Sequence, residues 1–340
     1  MNSPLWIVGP CSAESREQVL VTAQSIAKAV DRFAVRWIFR AGVWKPRTSP
    51  HTFQGVGEEG LAWLAEVKRT FGIDIATEVA TPEHVEAALK AGIDYLWIGA
   101  RTSANPLAVE AIAKRLRVTG YGLRGIFIKN PVNADADLWL GNIERLERTG
   151  VPVIAVHRGC NHQPCWAMAH KVRTARPDIP MLLDPSHMSG DAAKVPALLG
   201  KIAELGLDGA MVEVHAHPES ALSDKAQQIR PDELMSALQV LTDATKSLND
   251  EPSAPNDVEL NWLRAEIDEL DETLWSTIAA RMDVSRRIGE WKKEHGVAPL
   301  QPERYQQIVE RLRGTGYGLS DEFMLRVWEL IHEESLKQQK

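Results

Sequence analysis

Eight short runs rich in β-branched and aromatic residues recur along residues 5–249, each followed by a helical stretch, and this alternation constrains the fold most. The runs are LWIVG (5–9), WIFRAG (37–42), IDIATEV (73–79), YLWIGA (95–100), GIFIKN (125–130), PVIAVH (152–157), PMLLD (180–184) and GAMVEV (209–214). Amphipathic patterns such as REQVLVTAQSIAKAV and PALLGKIAELG lie between them, often stopped by glycine. Parallel strands need long crossovers, and helices supply them. Eight such units in about 245 residues predict a (β/α)8 TIM barrel over residues 1–249, with a doubly wound open sheet as the competing arrangement.

Residues 250–257, DEPSAPND, carry two prolines and no periodicity, and they read as a linker. Fully extended, such a segment spans roughly 26 Å, so the domain beyond it stays near the barrel. From Val258 to Lys340 the pattern is purely helical. Leu260, Leu263, Ile267, Leu270, Leu274, Ile278 and Ile288 form one stripe that runs to about Glu294. A helix of about 37 residues is roughly 55 Å long. Two shorter helices, near 302–313 and 320–339, cover only part of that stripe. The remainder requires a second chain, so the all-α three-helix domain 258–340 is expected to form a homodimer. TGYGL occurs at 119–123 and at 315–319, each time after a helix, and reads as a helix stop.

The formal net charge of −7 argues against a nucleic-acid or membrane-surface protein. Three cysteines, Cys11, Cys160 and Cys165, fit a reducing cytosol better than a disulfide framework, which predicts a cytoplasmic protein. The first residues have neither the basic start nor the apolar length of a signal peptide. No apolar run approaches the ~18 residues of a membrane span. Strand 1 follows the N-terminus almost directly, so no regulatory domain is expected before it.

Polar residues gather just after the predicted strands. Strand 1 leads to Cys11, strand 2 to Arg40, Lys45, Arg47 and Thr48, and strand 4 to Arg101. Strand 5 leads to Lys129, strand 6 to His157 and Arg158, strand 7 to His187, and strand 8 to Glu213 and then Asp224. In a barrel these ends meet on one rim, where active sites lie. The cations suit ligands with several negative charges, such as two phosphorylated substrates. Cys11, His187, Glu213 and Asp224 supply a thiolate, an imidazole and two carboxylates, which suits one divalent transition metal such as Mn, Fe, Co or Zn. Cys160 and Cys165 lie near His157 and His162, but their spacing fits no zinc pattern and packing is their expected role.

The motifs GPCS (9–12), RAGVWKPRTSP (40–50), IGART (98–102), IKNP (128–131), HRG (157–159), DPSH (184–187) and EVH–ALSD (213–224) resemble those of the phosphoenolpyruvate-condensing aldolases. The close match is the 3-deoxy-D-arabino-heptulosonate 7-phosphate (DAHP) synthases of the short microbial type. This resemblance implies that Cys11, His187, Glu213 and Asp224 bind the metal. It implies that Arg40, Lys45, Arg101, Lys129 and Arg158 hold phosphoenolpyruvate, and that Arg47 and Thr48 hold the phosphate end of erythrose 4-phosphate. Glu78 and Lys45 are the candidates for handling the proton of the attacking water. A sister family, the octulosonate phosphate synthases, shares the barrel and the metal site; the KPRTS run favours the erythrose 4-phosphate enzyme.

In the helical domain, steps of seven from Leu260 pass Ile267, Leu274, Arg281 and Ile288, and the neighbouring series Ile278, Ser285, Lys292 also ends in a charge. The last helix carries Met324, Trp328, Ile331 and Ser335, continuing to Gln339. Buried unpaired charge is costly. Arg281 and Lys292 therefore either line an anion pocket or reach out at the edge of the stripe.

The run LRAEIDELDETLWSTIAARMDVSRRIGEWK (263–292), with QPERY (301–305) and ESLKQQ, resembles the all-helical chorismate mutases. The resemblance implies that Arg264 and Arg281 bind substrate carboxylates, with Arg264 serving the partner's site. It implies that Lys292 and Gln339 hold the ether oxygen and that Arg304 and Ser335 assist. Gln301 stands where many members have Asp, and Tyr305 where several have Glu. The whole chain then reads as a bifunctional transferase and isomerase of aromatic amino acid biosynthesis, with prephenate or chorismate as feedback ligands of the barrel. The alternative for the helical domain is a non-catalytic sensing and dimerisation module.

Overall fold

The computed structural model describes residues 4–33, 35–47, 49, 51–119, 122–239, 255–313 and 317–339. Eight strands form: β1 (Leu5–Gly9), β2 (Arg36–Arg40), β3 (Asp74–Val79), β4 (Tyr95–Ile98), β5 (Gly125–Lys129), β6 (Val153–His157), β7 (Met181–Leu183) and β8 (Gly209–Glu213). Each pairs in parallel with the next, and β8 returns to β1, so the sheet closes. Closure excludes the open doubly wound sheet. Most strands stop a residue or two before their apolar runs do. After β4 the chain enters the short helix Ala100–Ser103, and after β7 Asp184 caps the helix Pro185–Ser189 by accepting from the His187 amide.

Side chains alternate across each strand. One set, Ile7, Ile38, Ala76, Tyr95, Trp97, Phe127, Val156, Leu182 and Met211, draws on every strand and forms its own buried cluster, which fills the barrel. The opposite set, including Trp6, Val8, Phe39, Ile75 and Ile126, packs with helix residues such as Val19, Leu64, Val109 and Ile143. Each fully buried side chain of this kind contributes roughly 1.5–3 kcal/mol.

Two residues beyond the barrel-filling position the same inward direction recurs, and in six of the eight strands the sequence turns polar there. Ile38 is followed by Arg40, Ala76 by Glu78, Phe127 by Lys129, Val156 by Arg158, Leu182 by Asp184 and Met211 by Glu213. A strand period of two thus stacks a charged layer on the apolar one. Gly9 and Gly99 take the equivalent places on β1 and β4. A Cβ at Gly9 would meet the Arg40 carbonyl oxygen at 2.0 Å, and one at Gly99 would meet Glu78 Oε1 at 2.0 Å.

The chain divides into two compact units, Met1–Glu266 and Ile267–Lys340. Residues 250–254 of the expected linker lie outside the described residues, and Pro255 already opens the 40-residue helix Pro255–Glu294. The start of this helix belongs to the first unit. Trp262 is buried there, donates to the Leu205 carbonyl at 3.1 Å and stacks on His170 at 5.3 Å. The His170 ring lies between Glu266 (2.6 Å) and Glu259 (3.2 Å).

The second unit contains the rest of the long helix with the helices Pro302–Leu312 and Asp321–Gln338. Ile267, Leu270, Leu274, Trp275, Ile288 and Trp291 on the long helix are exposed. The helices expected to stop at TGYGL end at Thr119 and Leu312, although Gly120, Tyr121, Thr315 and Gly316 lie outside the described residues.

Candidate active sites

The charged layer encloses a cavity of about 220 Å³ at the C-terminal ends of the strands, lined by Arg40, Lys45, Arg47, Arg101, Lys129 and Arg158 together with Glu78, His162, His187, Asp224 and Gln227. Thr48 lies outside the described residues.

On one side of the cavity, donor atoms of Cys11, Glu213 and Asp224 all lie within 4.8 Å of one another, the one such group among the described residues. The Cys11 thiol donates to Asp224 Oδ2 at 3.1 Å. His187 Nε2 stands 3.6 Å from Glu213 Oε1, beside this set. The mixture of soft thiol, imidazole and carboxylates fits a divalent transition ion. Burial, reinforced by Glu213, pushes the Cys11 thiol up to about 12. Burial opposes ionisation of Asp224, but Lys45, Cys11 and His187 outweigh it and hold the carboxyl below its usual range. Asp224 itself adopts φ 46°, a left-handed conformation uncommon outside glycine. Such strain clusters at functional sites.

The cations are held by buried acids and carbonyls. Arg40 is fully buried; its Nη2 donates to Glu213 Oε1 and to the Cys11 carbonyl, both at 3.2 Å, and its guanidinium lies over the Trp97 ring at 4.6 Å. Arg40 Nε and Nη1 have no partner, so two donors of a buried cation remain for a ligand. Lys45 Nζ donates to the Cys11 carbonyl at 3.2 Å and lies 3.7 Å from Glu78. Arg47 Nη1 donates to Asp224 Oδ1 at 3.1 Å. Burial pushes the Lys129 ammonium down, against the pull of Asp184, which it meets at 2.6 Å.

Three positions were not singled out from sequence. Asp184 pairs with both Lys129 and His187. Gln227 donates to Glu213 Oε2 at 2.7 Å, and Gln228 accepts from the Cys11 amide at 3.0 Å. The signal for Asp184 was its place two residues after Leu182, in the inward register; the two glutamines sit in a loop where no register applies. His157 is buried between Trp139 and Trp166. His162 lines the cavity.

In the second unit the charges on the helical stripe meet polar groups of the last helix. Lys292 is 9% exposed; its Nζ donates to the Pro299 carbonyl at 2.6 Å and to Gln339 Oε1 at 3.1 Å. Arg281 hydrogen-bonds to Ser335 Oγ and lies over the Trp328 ring at 5.0 Å. Burial pushes the Arg281 guanidinium down. These contacts favour a pocket over side chains that reach outward. Arg304 is exposed and bonds to Gln307 at 3.4 Å. Arg264 falls in the first unit, exposed and 3.4 Å from Asn261 Oδ1.

A parallel barrel with cations and a thiol–carboxylate set converging on its C-terminal rim is an enzyme for small anionic substrates. Residues 2–250 match the DAHP synthetase I family, and residues 263–340 match chorismate mutase type II. A phospho-2-dehydro-3-deoxyheptonate aldolase of Thermotoga maritima is 30% identical over 248 residues, 70% of each chain. A 2-dehydro-3-deoxyphosphooctonate aldolase of Synechococcus is 30% identical over 250 residues, covering 68% of this chain and 84% of that one. The crystal structure of the Thermotoga maritima heptonate aldolase superposes with a TM-score of 0.62 at 26% identity, covering 72% of this chain and 70% of that one. The chain belongs to the DAHP synthetase I family and carries a type II chorismate mutase domain C-terminal to the barrel in sequence. It is a bifunctional transferase and isomerase of aromatic biosynthesis. No described helix is long and apolar enough to cross a membrane.

Proposed function

We propose that the barrel condenses phosphoenolpyruvate with erythrose 4-phosphate on a divalent metal held by Cys11, His187, Glu213 and Asp224. The observation that carries this reading is the convergence of six cations on one cavity that His187 and Asp224 also line, with Cys11 and Glu213 grouped with Asp224. When bound, the ion supplies Lewis-acid polarisation of the aldehyde oxygen. Arg40, Lys45, Arg101, Lys129 and Arg158 hold the phosphate and carboxylate of phosphoenolpyruvate. Arg47 and Thr48 take the acceptor's phosphate. The enol carbon attacks the aldehyde carbon, water adds at C2, and phosphate departs by C–O cleavage. Glu78 is the group available to take the water proton; Lys45, 3.7 Å from it, is an ammonium with no lone pair to accept one. The cations position the two anions and stabilise developing charge.

In the helical unit, Arg281 binds one carboxylate of chorismate, and Arg264 of the partner subunit binds the other. Lys292 and Gln339 stabilise negative charge on the breaking ether oxygen, with Ser335 and Arg304 assisting. The rearrangement to prephenate is intramolecular and needs no covalent step. The exposed stripe from Ile267 to Trp291 is covered by a second copy, which makes the enzyme a homodimer through this unit. Prephenate or chorismate bound there feeds back on the barrel by linkage. Three free cysteines support a cytosolic setting.

Phosphate release from phosphoenolpyruvate, measured with erythrose 4-phosphate or arabinose 5-phosphate and with or without chelator, tests the barrel. A preference for arabinose 5-phosphate would reassign it to octulosonate synthesis. Absence of prephenate formation from chorismate by the full chain would reduce the helical unit to a sensing and dimerisation module.

A further inference from the structure

The proposed mutase pocket leaves one polar group of its substrate without a partner. Arg281 and Arg264 of the partner subunit take the two carboxylates of chorismate, and Lys292 and Gln339 take the ether oxygen. The ring also carries a secondary hydroxyl.

One polar side chain beside the Arg281–Trp328 pair has no role in that scheme. His332 lies on the helix Asp321–Gln338, one turn after Trp328 and three residues before Ser335, so the three share a face. Its two neighbours on this face are the residues that hold Arg281. The His332 ring lies 5.5 Å from the Trp328 ring and 5.0 Å from the Tyr305 ring. His332 Nε2 is shielded from solvent and has no hydrogen-bond partner, and the same holds for Trp328 Nε1 beside it. Buried polar atoms are normally satisfied, so two such atoms on neighbouring rings call for a polar ligand group.

The surroundings select which group that is. Arg281 and Lys292 face the imidazole from the long helix, Tyr305 from the middle helix and Glu333 from its own helix. Burial first, then the two cations, push the His332 pKa below its usual range and keep the ring neutral. A neutral imidazole makes a poor carboxylate site beside two cations, but its nitrogen can donate to or accept from a hydroxyl.

We infer that His332 is a substrate-contact residue of the mutase pocket, its Nε2 bonded to the secondary hydroxyl of chorismate and its ring plane fixed by Tyr305 and Trp328. The inference rests on the mutase reading of this pocket. It also gives Tyr305, which departs from the residue common in the mutases, a role in orienting the imidazole.

The test is kcat/KM of the full chain on chorismate and on the analogue lacking the ring hydroxyl, for the parent, His332→Ala, His332→Gln and Lys292→Ala. His332→Ala should lose about tenfold on chorismate, the worth of one hydrogen bond to a buried group. It should lose little on the deoxy analogue, and His332→Gln should recover part of the chorismate rate. Equal losses on both substrates, or no loss on either, would overturn the inference whatever happens to Tm. Lys292→Ala should slow both substrates by roughly 100-fold, as for loss of an oxyanion donor. A parental rate in that variant would instead remove the mutase reading of the pocket, and this inference with it.

Discussion

Asp184 Oδ2 lies 2.9 Å from His187 Nδ1, and the carboxylate is fully buried. The same carboxylate accepts from the His187 amide at 3.1 Å and from Lys129 Nζ at 2.6 Å. Burial works against its charge, yet His187 and Lys129 hold the carboxyl well below the usual range. An ionised Asp184 accepts only, so His187 Nδ1 donates to it, and Nε2 is the ring nitrogen turned toward Glu213 at 3.6 Å. One acid thus orients a proposed metal ligand and a proposed phosphoenolpyruvate lysine together.

Asp184→Asn should therefore weaken both functions. An amide cannot accept from Lys129 without turning its own NH2 on His187. Divalent metal affinity, read by calorimetry, should fall by about 10–100-fold, the usual effect of removing such a support. Phosphoenolpyruvate binding should weaken in parallel. Unchanged metal affinity in a folded variant would show that Asp184 supports Lys129 alone.

Chelation should abolish condensation and leave the mutase largely intact, because the proposed ligands Cys11, His187, Glu213 and Asp224 all precede the helical unit. Cys11→Ala should reproduce the chelator effect by removing the one soft ligand. Joint loss of both activities in EDTA would refute independent sites.

The register of the strands explains how far sequence reached. The barrel was legible because eight apolar runs recur, and most site cations because they follow those runs by fixed steps. In DPSH the metal-type residue is His187, and Asp184 carries no signal of its own beyond its register two residues after Leu182. Gln227 and Gln228 had no such signal; their value comes from a loop folding back on Glu213 and Cys11. In the helical unit the seven-residue steps exposed Arg281 and Lys292. They did not reveal His332, whose place depends on packing between three helices.

His157 should make the barrel acid-sensitive. Burial lowers its pKa from the ordinary 6.5 to about 3. Below 6.5 the unfolded chain binds a proton that the folded chain refuses, so stability falls with pH until the folded group titrates near 3. The limiting slope is ~1.4 kcal/mol per pH unit. His157→Phe, which can fill the space between Trp139 and Trp166, should flatten denaturant midpoints against pH between about 3 and 6.5. An unchanged slope would assign the acid sensitivity to the carboxylates.

The point at which the barrel ends is itself testable, and it decides how regulation is measured. A sequence-based cut at residue 249 discards Trp262, although its indole is 2% exposed and bonds to Leu205 within the barrel unit. It also strips His170 of Glu259 and Glu266. Removing a buried Trp costs about 3–5 kcal/mol, a large part of a typical stability of about 5–15 kcal/mol. A chain ending at Glu266 should therefore melt well above one ending at residue 249, and Trp262→Ala in the longer form should close most of the gap. Equal Tm values for the two truncations would mean that the segment merely rests on the barrel. If the longer form is the stable one, feedback must be measured against it. Prephenate should slow condensation in the full chain and leave the 1–266 form untouched, with a coupling of roughly 1–3 kcal/mol. Equal inhibition of both would place the inhibitor on the barrel itself, and inhibition of neither would leave the helical unit with catalysis alone.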